Sequence, residues 1–347
     1  MKLCKNAVQT LTLALGFCCA AAQAGDSMVV VGYGGAGQKA QDSAFFQPFA
    51  KQSGATLRQA EYNGEMARIK VMVDTGQADW DVVQIEGPDL ARNCDLGMFE
   101  PLDWKALGGS DQLIDHSAKP CGSAALVWGV AIAYDADKLK TAPNGWTDFW
   151  DLKKFPGKRG LRKRAEYNLE FALLADGVKR EDVYKVLATR EGQDRAFRKL
   201  GEIKSSIQWW EAGAQPPQWL ASGDVVMTTA YTGRIADAHK GGRNLGLVWT
   251  DALYGMDYWA IIKGSKHVDL AKRFIAFSNQ SAPQVNYVNA IAYGPTNKDA
   301  AAHLSPQIAP WVPTSPANLA VGLAMDDEFW ADHGEELEER FNAWAAQ

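Results

Sequence analysis

The chain predicts an α/β fold in two domains, on three observations. Apolar runs alternate with segments of helical period from residue 27 onward, in the order strand, helix, strand, helix, strand. The first strand run, Met28-Val29-Val30-Val31, is continuously apolar, the mark of a parallel strand covered on both faces. Setting aside an N-terminal leader leaves about 320 residues, which is two domains by length.

The leader is read from residues 1–24. A short basic start, Met-Lys-Leu-Cys-Lys, is followed by an apolar run at residues 11–22 and then Ala22-Gln23-Ala24. That order of regions predicts a secretion signal cut after Ala24 and a periplasmic mature protein. The apolar run is shorter than the roughly 20 residues that span a bilayer. Phe17 before Cys18 argues against a lipid-modified cysteine. Losing Lys2 and Lys5 moves the net charge from -5 to -7. Such acidity excludes nucleic acid as an expected partner, because phosphate binding needs a basic face. Of the five cysteines, Cys94 and Cys121 survive the cut, an even pair in a compartment where disulfides persist. They are expected to pair. No metal or cofactor is expected: the cysteines lack close spacing and the histidines are scattered.

The elements follow in order. Residues 27–31 are a strand leading into the glycine turn Gly32-Tyr33-Gly34-Gly35-Ala36-Gly37. Residues 43–51 carry Phe45, Phe46 and Phe49 at helical spacing. Residues 56–61 are a second strand, 63–75 a helix with Met66, Ile69 and Val73 on one face, and 80–85 a third strand ending at Gly87-Pro88. Residues 128–134 are a strand. Thr147 is placed as a helix cap before Phe149 and Trp150. A basic patch at 158–164 precedes a helix at 165–176, and further helices are expected at 180–189, 192–203 and 217–222. Strands are expected at 225–229, 245–249 and 258–263, a helix at 270–278 and an amphipathic helix at 326–346.

Several of these pieces, in this order, resemble an extracellular solute-binding protein of a bacterial ABC importer, of the spermidine/putrescine-binding branch. The resemblance rests on Asp79-Trp80-Asp81-Val82-Val83 and on the strand from Trp128 to Asp135. It also rests on Tyr231-Thr232-Gly233, where relatives often carry Trp-Asn-Gly, on Gly255 to Ile261, and on Ile291 to Asn297. It implies a type II periplasmic-binding-protein fold: two lobes, each a mostly parallel sheet flanked by helices, with the ligand in the cleft between them. The implied division is 25–130 plus 258–306 for lobe 1 and 131–257 plus 307–347 for lobe 2. The implied partners are a small solute and a membrane permease, and the chain is expected to act as a monomer without catalysis.

Candidate site residues lie where strands end. Tyr33, Gly34 and Gly35 follow the first strand, as a ligand-approaching turn or a plain one. Gln84 and Glu86 follow the third; Glu86 faces either the cleft or solvent. Tyr231 and Arg234 flank Gly233, one as a stacking face, the other as a carboxylate fork or a solvated helix start. The resemblance gives Asp257 an ammonium to meet and turns Tyr293 toward the ligand. It also sets Arg164 and Tyr167 where polyamine-binding relatives carry acids. A cation there repels a second ammonium. The expected ligand is thus a zwitterion of the 4-aminobutyrate type, its carboxylate on Arg164 and its amine on Asp257, or a small organic anion held by Arg164, Arg234 and the glycine turn, ahead of a polyamine. The loop at 162–167 can also be read as solvated basic surface.

A competing reading is an exported nicotinamide-dependent oxidoreductase. Gly32-x-Gly34-x-x-Gly37 follows a strand, and Glu61 stands at the spacing of a ribose-binding acid. Against it, a folded, cofactor-loaded export normally uses a twin-arginine signal, and residues 1–24 contain no arginine. The residues after Gly37 (Gln38, Lys39, Gln41, Asp42) are also polar, whereas a dinucleotide helix packs closely on its strand. A ferric-ion site wants adjacent tyrosines, and none occur.

Overall fold

Ten strands form one twisted sheet in a computed structural model that describes residues 26–347. The expected leader lies outside the described residues. The strands are β1 (Ser27–Gly32), β2 (Thr56–Glu61), β3 (Val82–Glu86), β4 (Ala118–Lys119) and β5 (Gly122–Asp135). They continue with β6 (Arg159–Arg162), β7 (Ile207–Trp210), β8 (Met227–Tyr231), β9 (Leu245–Ile261) and β10 (Leu323–Ala324). The order is β2-β1-β3-β9-β5-β8-β6-β7, with β10 on β9 and β4 on β5.

Two parallel blocks share a long antiparallel pair. β1 runs parallel to β2 and β3, and β6 runs parallel to β7 and β8. Between the blocks β5 and β9 pair from Gly122↔Ala260 to Asp135↔Leu245. β3 joins the C-terminal end of β9, and β8 joins the second half of β5. The fold is thus a two-lobed α/β architecture, and both central strands pass from one lobe to the other.

Burial explains the strand runs. Met28 and Val30 pack into one core, while Val29 and Val31 pack into another on the opposite face. Covering both faces removes the polar half of the usual alternation. The glycine turn is shorter than expected, because the helix Gly35–Gln41 begins inside it. The helices Gly87–Asp95 and Ser281–Ala290 were not read from the sequence. The two segments expected at 245–249 and 258–263 are one strand. Gly255 lies opposite Trp128, whose ring occupies the space a side chain there would need. The helix expected to be capped by Thr147 is Trp146–Trp150 and starts two residues earlier, after Gly145. Burial of Trp146 sets that start: its ring stacks on Phe171 at 3.7 Å and its Nε1 donates to the Asp251 carbonyl at 2.9 Å.

The basic patch at 158–164 is largely strand β6. Arg159 is fully buried and donates to the carbonyls of Phe149, Gly157, Asp151 and Phe155. Burial lowers its pKa to about 10.

Two devices tie distant elements together. Cys94, in the helix Gly87–Asp95, is disulfide-bonded to Cys121, just before β5, with Cα atoms 6.0 Å apart. The C-terminal helix Asp327–Ala345 is capped by the Asp326 side chain, which accepts from Phe329 N at 2.9 Å. Near its start Arg92 donates to the Ala331 carbonyl at 3.1 Å, and Tyr258 lies 3.2 Å from Asp327. Near its end Phe341 and Trp344 pack on Trp209, and Arg340 pairs with Asp194.

Candidate ligand cleft

A cavity of about 190 Å³ lies beyond the carboxyl ends of β1, β3 and β8. Loops at that end of parallel strands are the usual place for a ligand. Tyr33 and Gly34 reach it from β1, Gln84 and Glu86 from β3, and Tyr231 and Arg234 from β8 and the helix Thr232–Lys240. Asp257 enters from β9, and Tyr293 from the turn after the helix Ser281–Ala290. Gly35, Arg164 and Tyr167 do not line this cavity.

One wall is acidic and held by hydrogen bonds. Asp257 is 7% exposed and sits directly across from Glu86 in the β3–β9 ladder. Gln84 Nε2 donates to its carboxylate at 2.5 Å and Trp128 Nε1 at 3.1 Å. Gln41 Nε2 in turn donates to Gln84 Oε1 at 2.9 Å. Burial, then the Glu86 charge, raises the Asp257 pKa to about 8. The charge of an arriving cation offsets both causes, so this carboxyl is ready to ionise against an ammonium.

The opposite wall carries a cation. Arg234 is exposed and lies within 4.0 Å of no carboxylate among the described residues. It shares the cavity with Tyr231 and Tyr293. Burial pushes the Tyr293 hydroxyl up to about 12, so it stays a hydrogen-bond donor at neutral pH.

The glycine turn is occupied by its own helix. Gly34 N donates to Gln38 Oε1 at 3.0 Å, so that N–H is not free for an anion. Gly34 has φ 69°, and a Cβ there would lie 2.7 Å from the Glu61 carboxylate. Only glycine fits. Tyr33 stacks on Tyr62 at 5.1 Å, and the Tyr62 hydroxyl donates to the Gln84 carbonyl at 2.5 Å.

Arg164 pairs with Glu166 and lines a second cavity of about 550 Å³, which also includes Glu86 and Glu338. Tyr167 is buried, with its ring 5.5 Å from Trp128. Sequence reasoning missed Gln38, Gln41, Trp128 and Tyr287, all of which line the first cavity. The polar run after Gly37 held the signal for the first two. A core-facing helix has little reason to bury two glutamines, at 6% and 1% exposure, unless they bond to something.

Residues 44–319 match the family model described as bacterial extracellular solute-binding protein. The chain belongs to the bacterial extracellular solute-binding proteins. This solute-binding protein is 53% identical over 333 residues to the gamma-aminobutyric acid-binding protein of Pseudomonas aeruginosa, covering 96% of this chain and 95% of the relative. An ABC transporter substrate-binding protein from Bradyrhizobium japonicum USDA 110 is 33% identical, with a TM-score of 0.85 over 92% of this chain and 99% of that one. The Atu4243-GABA receptor is 30% identical, with a TM-score of 0.85 over 93% and 98%. The solute-binding protein therefore serves an ABC transporter, taking a small-molecule ligand to a membrane permease, and is not an enzyme. The oxidoreductase reading of Gly32-x-Gly34-x-x-Gly37 falls with that assignment. Its family works outside the cytoplasm, and no helix among the described residues is long and apolar enough to cross a membrane.

Proposed function

We propose that this solute-binding protein captures a short ω-amino acid of the 4-aminobutyrate type. The observation that carries the reading is that one small cavity holds a buried carboxyl, Asp257, and a guanidinium, Arg234, that pairs with no carboxylate among the described residues. Asp257, with Glu86 beside it, takes the ammonium. Arg234 takes the carboxylate, with Tyr231 and Tyr293 donating hydroxyls. β3, which ends at Glu86, and β8, which leads to Arg234, flank the central β5–β9 pair on opposite sides, so Glu86 and Arg234 approach the ligand from two lobes, with Asp257 at the crossing between them. A cavity of about 190 Å³ is below the roughly 300–1,000 Å³ of drug-sized sites and suits a short ligand. The relative named for gamma-aminobutyric acid, at 53% identity, supports the same reading. A polyamine fits less well, since its second ammonium would face Arg234.

The lobes are assigned as residues 25–130 plus 258–306 and 131–257 plus 307–347, with the ligand bound by their closure. The C-terminal helix belongs by sequence to the second lobe and touches elements of both. The mature chain starts after Ala24 and works in the periplasm as a monomer.

Isothermal titration against 4-aminobutyrate, putrescine and succinate tests the assignment. Tight binding of 4-aminobutyrate with weak binding of the other two supports it. Preference for putrescine or succinate overturns it.

A further inference from the structure

Arg162 ends strand β6 and does not line the ligand cavity. It is half-buried, yet it lies within 4.0 Å of no carboxylate among the described residues. Its Nη1 instead donates to the Tyr167 hydroxyl at 3.1 Å and to the Tyr231 hydroxyl. Its guanidinium carbon stands 5.4 Å, 5.7 Å and 5.5 Å from the ring centres of Tyr167, Trp210 and Tyr231. Trp128 packs edge-on against both tyrosines, and its indole N–H is the one that holds Asp257. Even a half-buried cation without a counter-ion is costly unless it is hydrogen-bonded, which here falls to the two tyrosine hydroxyls.

The backbone is bent to make this box. Tyr167 has φ 74°, a region that disfavours a bulky residue with a Cβ. Asn168 Nδ2 clamps the bend by donating to the carbonyls of Arg162 and Arg164, at 2.6 and 2.7 Å. Strain of this kind persists where the surroundings over-determine it, often at a ligand site.

We infer that Arg162 is a positioning residue for the anionic end of the ligand, acting through Tyr231. This rests on the zwitterion reading above. Because Arg162 donates to the Tyr231 oxygen, the phenolic proton must point elsewhere, and Tyr231 lines the cavity. The hydroxyl is thereby fixed as a donor into the cleft, backed by a positive charge. A carboxylate gains from both. An amine or an uncharged end gains from neither.

The test compares 4-aminobutyrate with butylamine, which lacks the carboxylate, in wild type, Arg162→Met, Arg162→Lys, Tyr231→Phe and the Arg162→Met/Tyr231→Phe double variant. Titration calorimetry and melting temperature are read for each. Arg162→Met is expected to weaken 4-aminobutyrate by about 30-fold, the size of a lost bond to a charged group, and to leave butylamine unchanged. Arg162→Lys, the milder change if the methionine variant folds poorly, is expected to give a smaller loss in the same direction. The double variant is expected to bind no worse than Tyr231→Phe alone. Equal losses for both ligands, no loss for either, or additive losses in the double variant overturn the inference while leaving the wild-type reading intact. Failure of wild type to bind 4-aminobutyrate overturns that reading and the inference with it.

Discussion

Glu86 and Asp257 face each other as a directly opposed pair across β3 and β9. Two carboxylates so placed would repel, and with burial this keeps Asp257 protonated in the empty cleft at neutral pH. Asn in place of Asp257 mimics that protonated carboxyl and keeps a hydrogen-bonding side chain. The variant is expected to melt no lower than wild type at neutral pH. It is also expected to lose at least 30-fold in affinity for an amino-acid ligand, since one partner of a buried charge pair is worth about 2–5 kcal/mol. Calorimetry alongside a melting curve checks both. Retained affinity would show that the ammonium goes elsewhere.

The raised pKa of Asp257, about 8, makes binding proton-linked. The folded value lies above the unfolded one, so on raising the pH the unfolded chain ionises first. The empty protein therefore loses stability from the ordinary carboxylate range up to about pH 8, and this contribution is flat above it. An ammonium ligand needs the ionised form, so its affinity rises across the same window. Titrations near pH 6.5 in two buffers of different ionisation enthalpy are expected to report close to one proton released per ligand (~1 by linkage). Asp257→Asn should abolish the release; a release that survives in that variant would assign the proton to another group.

Arg234 is exposed and pairs with no carboxylate among the described residues, so it contributes little to the fold. Arg234→Met is expected to leave the melting temperature within about 2 °C of wild type, as exposed substitutions usually do. Binding of a carboxylate-bearing ligand should fall by 10-fold or more, roughly the worth of a charge-assisted bond. A variant that binds as well as wild type would remove Arg234 from the site.

Cys94 and Cys121 close a loop with a sequence separation of 27. Chain entropy for such a loop is worth about 3.5 kcal/mol. The Cys94→Ser/Cys121→Ser double variant is expected to lose about that much in denaturant unfolding. Ligand affinity should fall less, because the bond tethers the helix after Glu86 without touching the cavity. A loss below about 1 kcal/mol would mean that the reduced chain is already held by packing.

What was legible in the sequence followed from local rules. Val29 to Val31 and Val82-Val83 are apolar because both faces are covered, and that reads as a run. Glu86, Tyr231 and Arg234 stand just past strand ends, so topology alone put them near a cleft. Asp257 and Tyr293 came from a family pattern and reached the same cavity. Gln38 and Gln41 were hidden because their helix starts inside a turn that glycines made look irregular. Arg162 and Arg164 are two residues apart, and nothing local says which one pairs with an acid. Glu166 takes Arg164, and the aromatic box takes Arg162. That choice is made by Tyr231, Trp210 and Trp128, which are distant in sequence. β9 looked like two strands because Asp251 and Gly255 interrupt it, and only its pairing with β5 makes it one.

The central place of β9 sets an order of events during biosynthesis. β3 and β5 are neighbours only through β9, and the Gln84–Asp257 bond spans 173 residues. Until residue 261 has left the ribosome, the two halves of the sheet have nothing to join them. Contacts this far apart in sequence form slowly. For the export proposed above, this late closure keeps the nascent chain open enough to thread a membrane channel before it takes its binding shape.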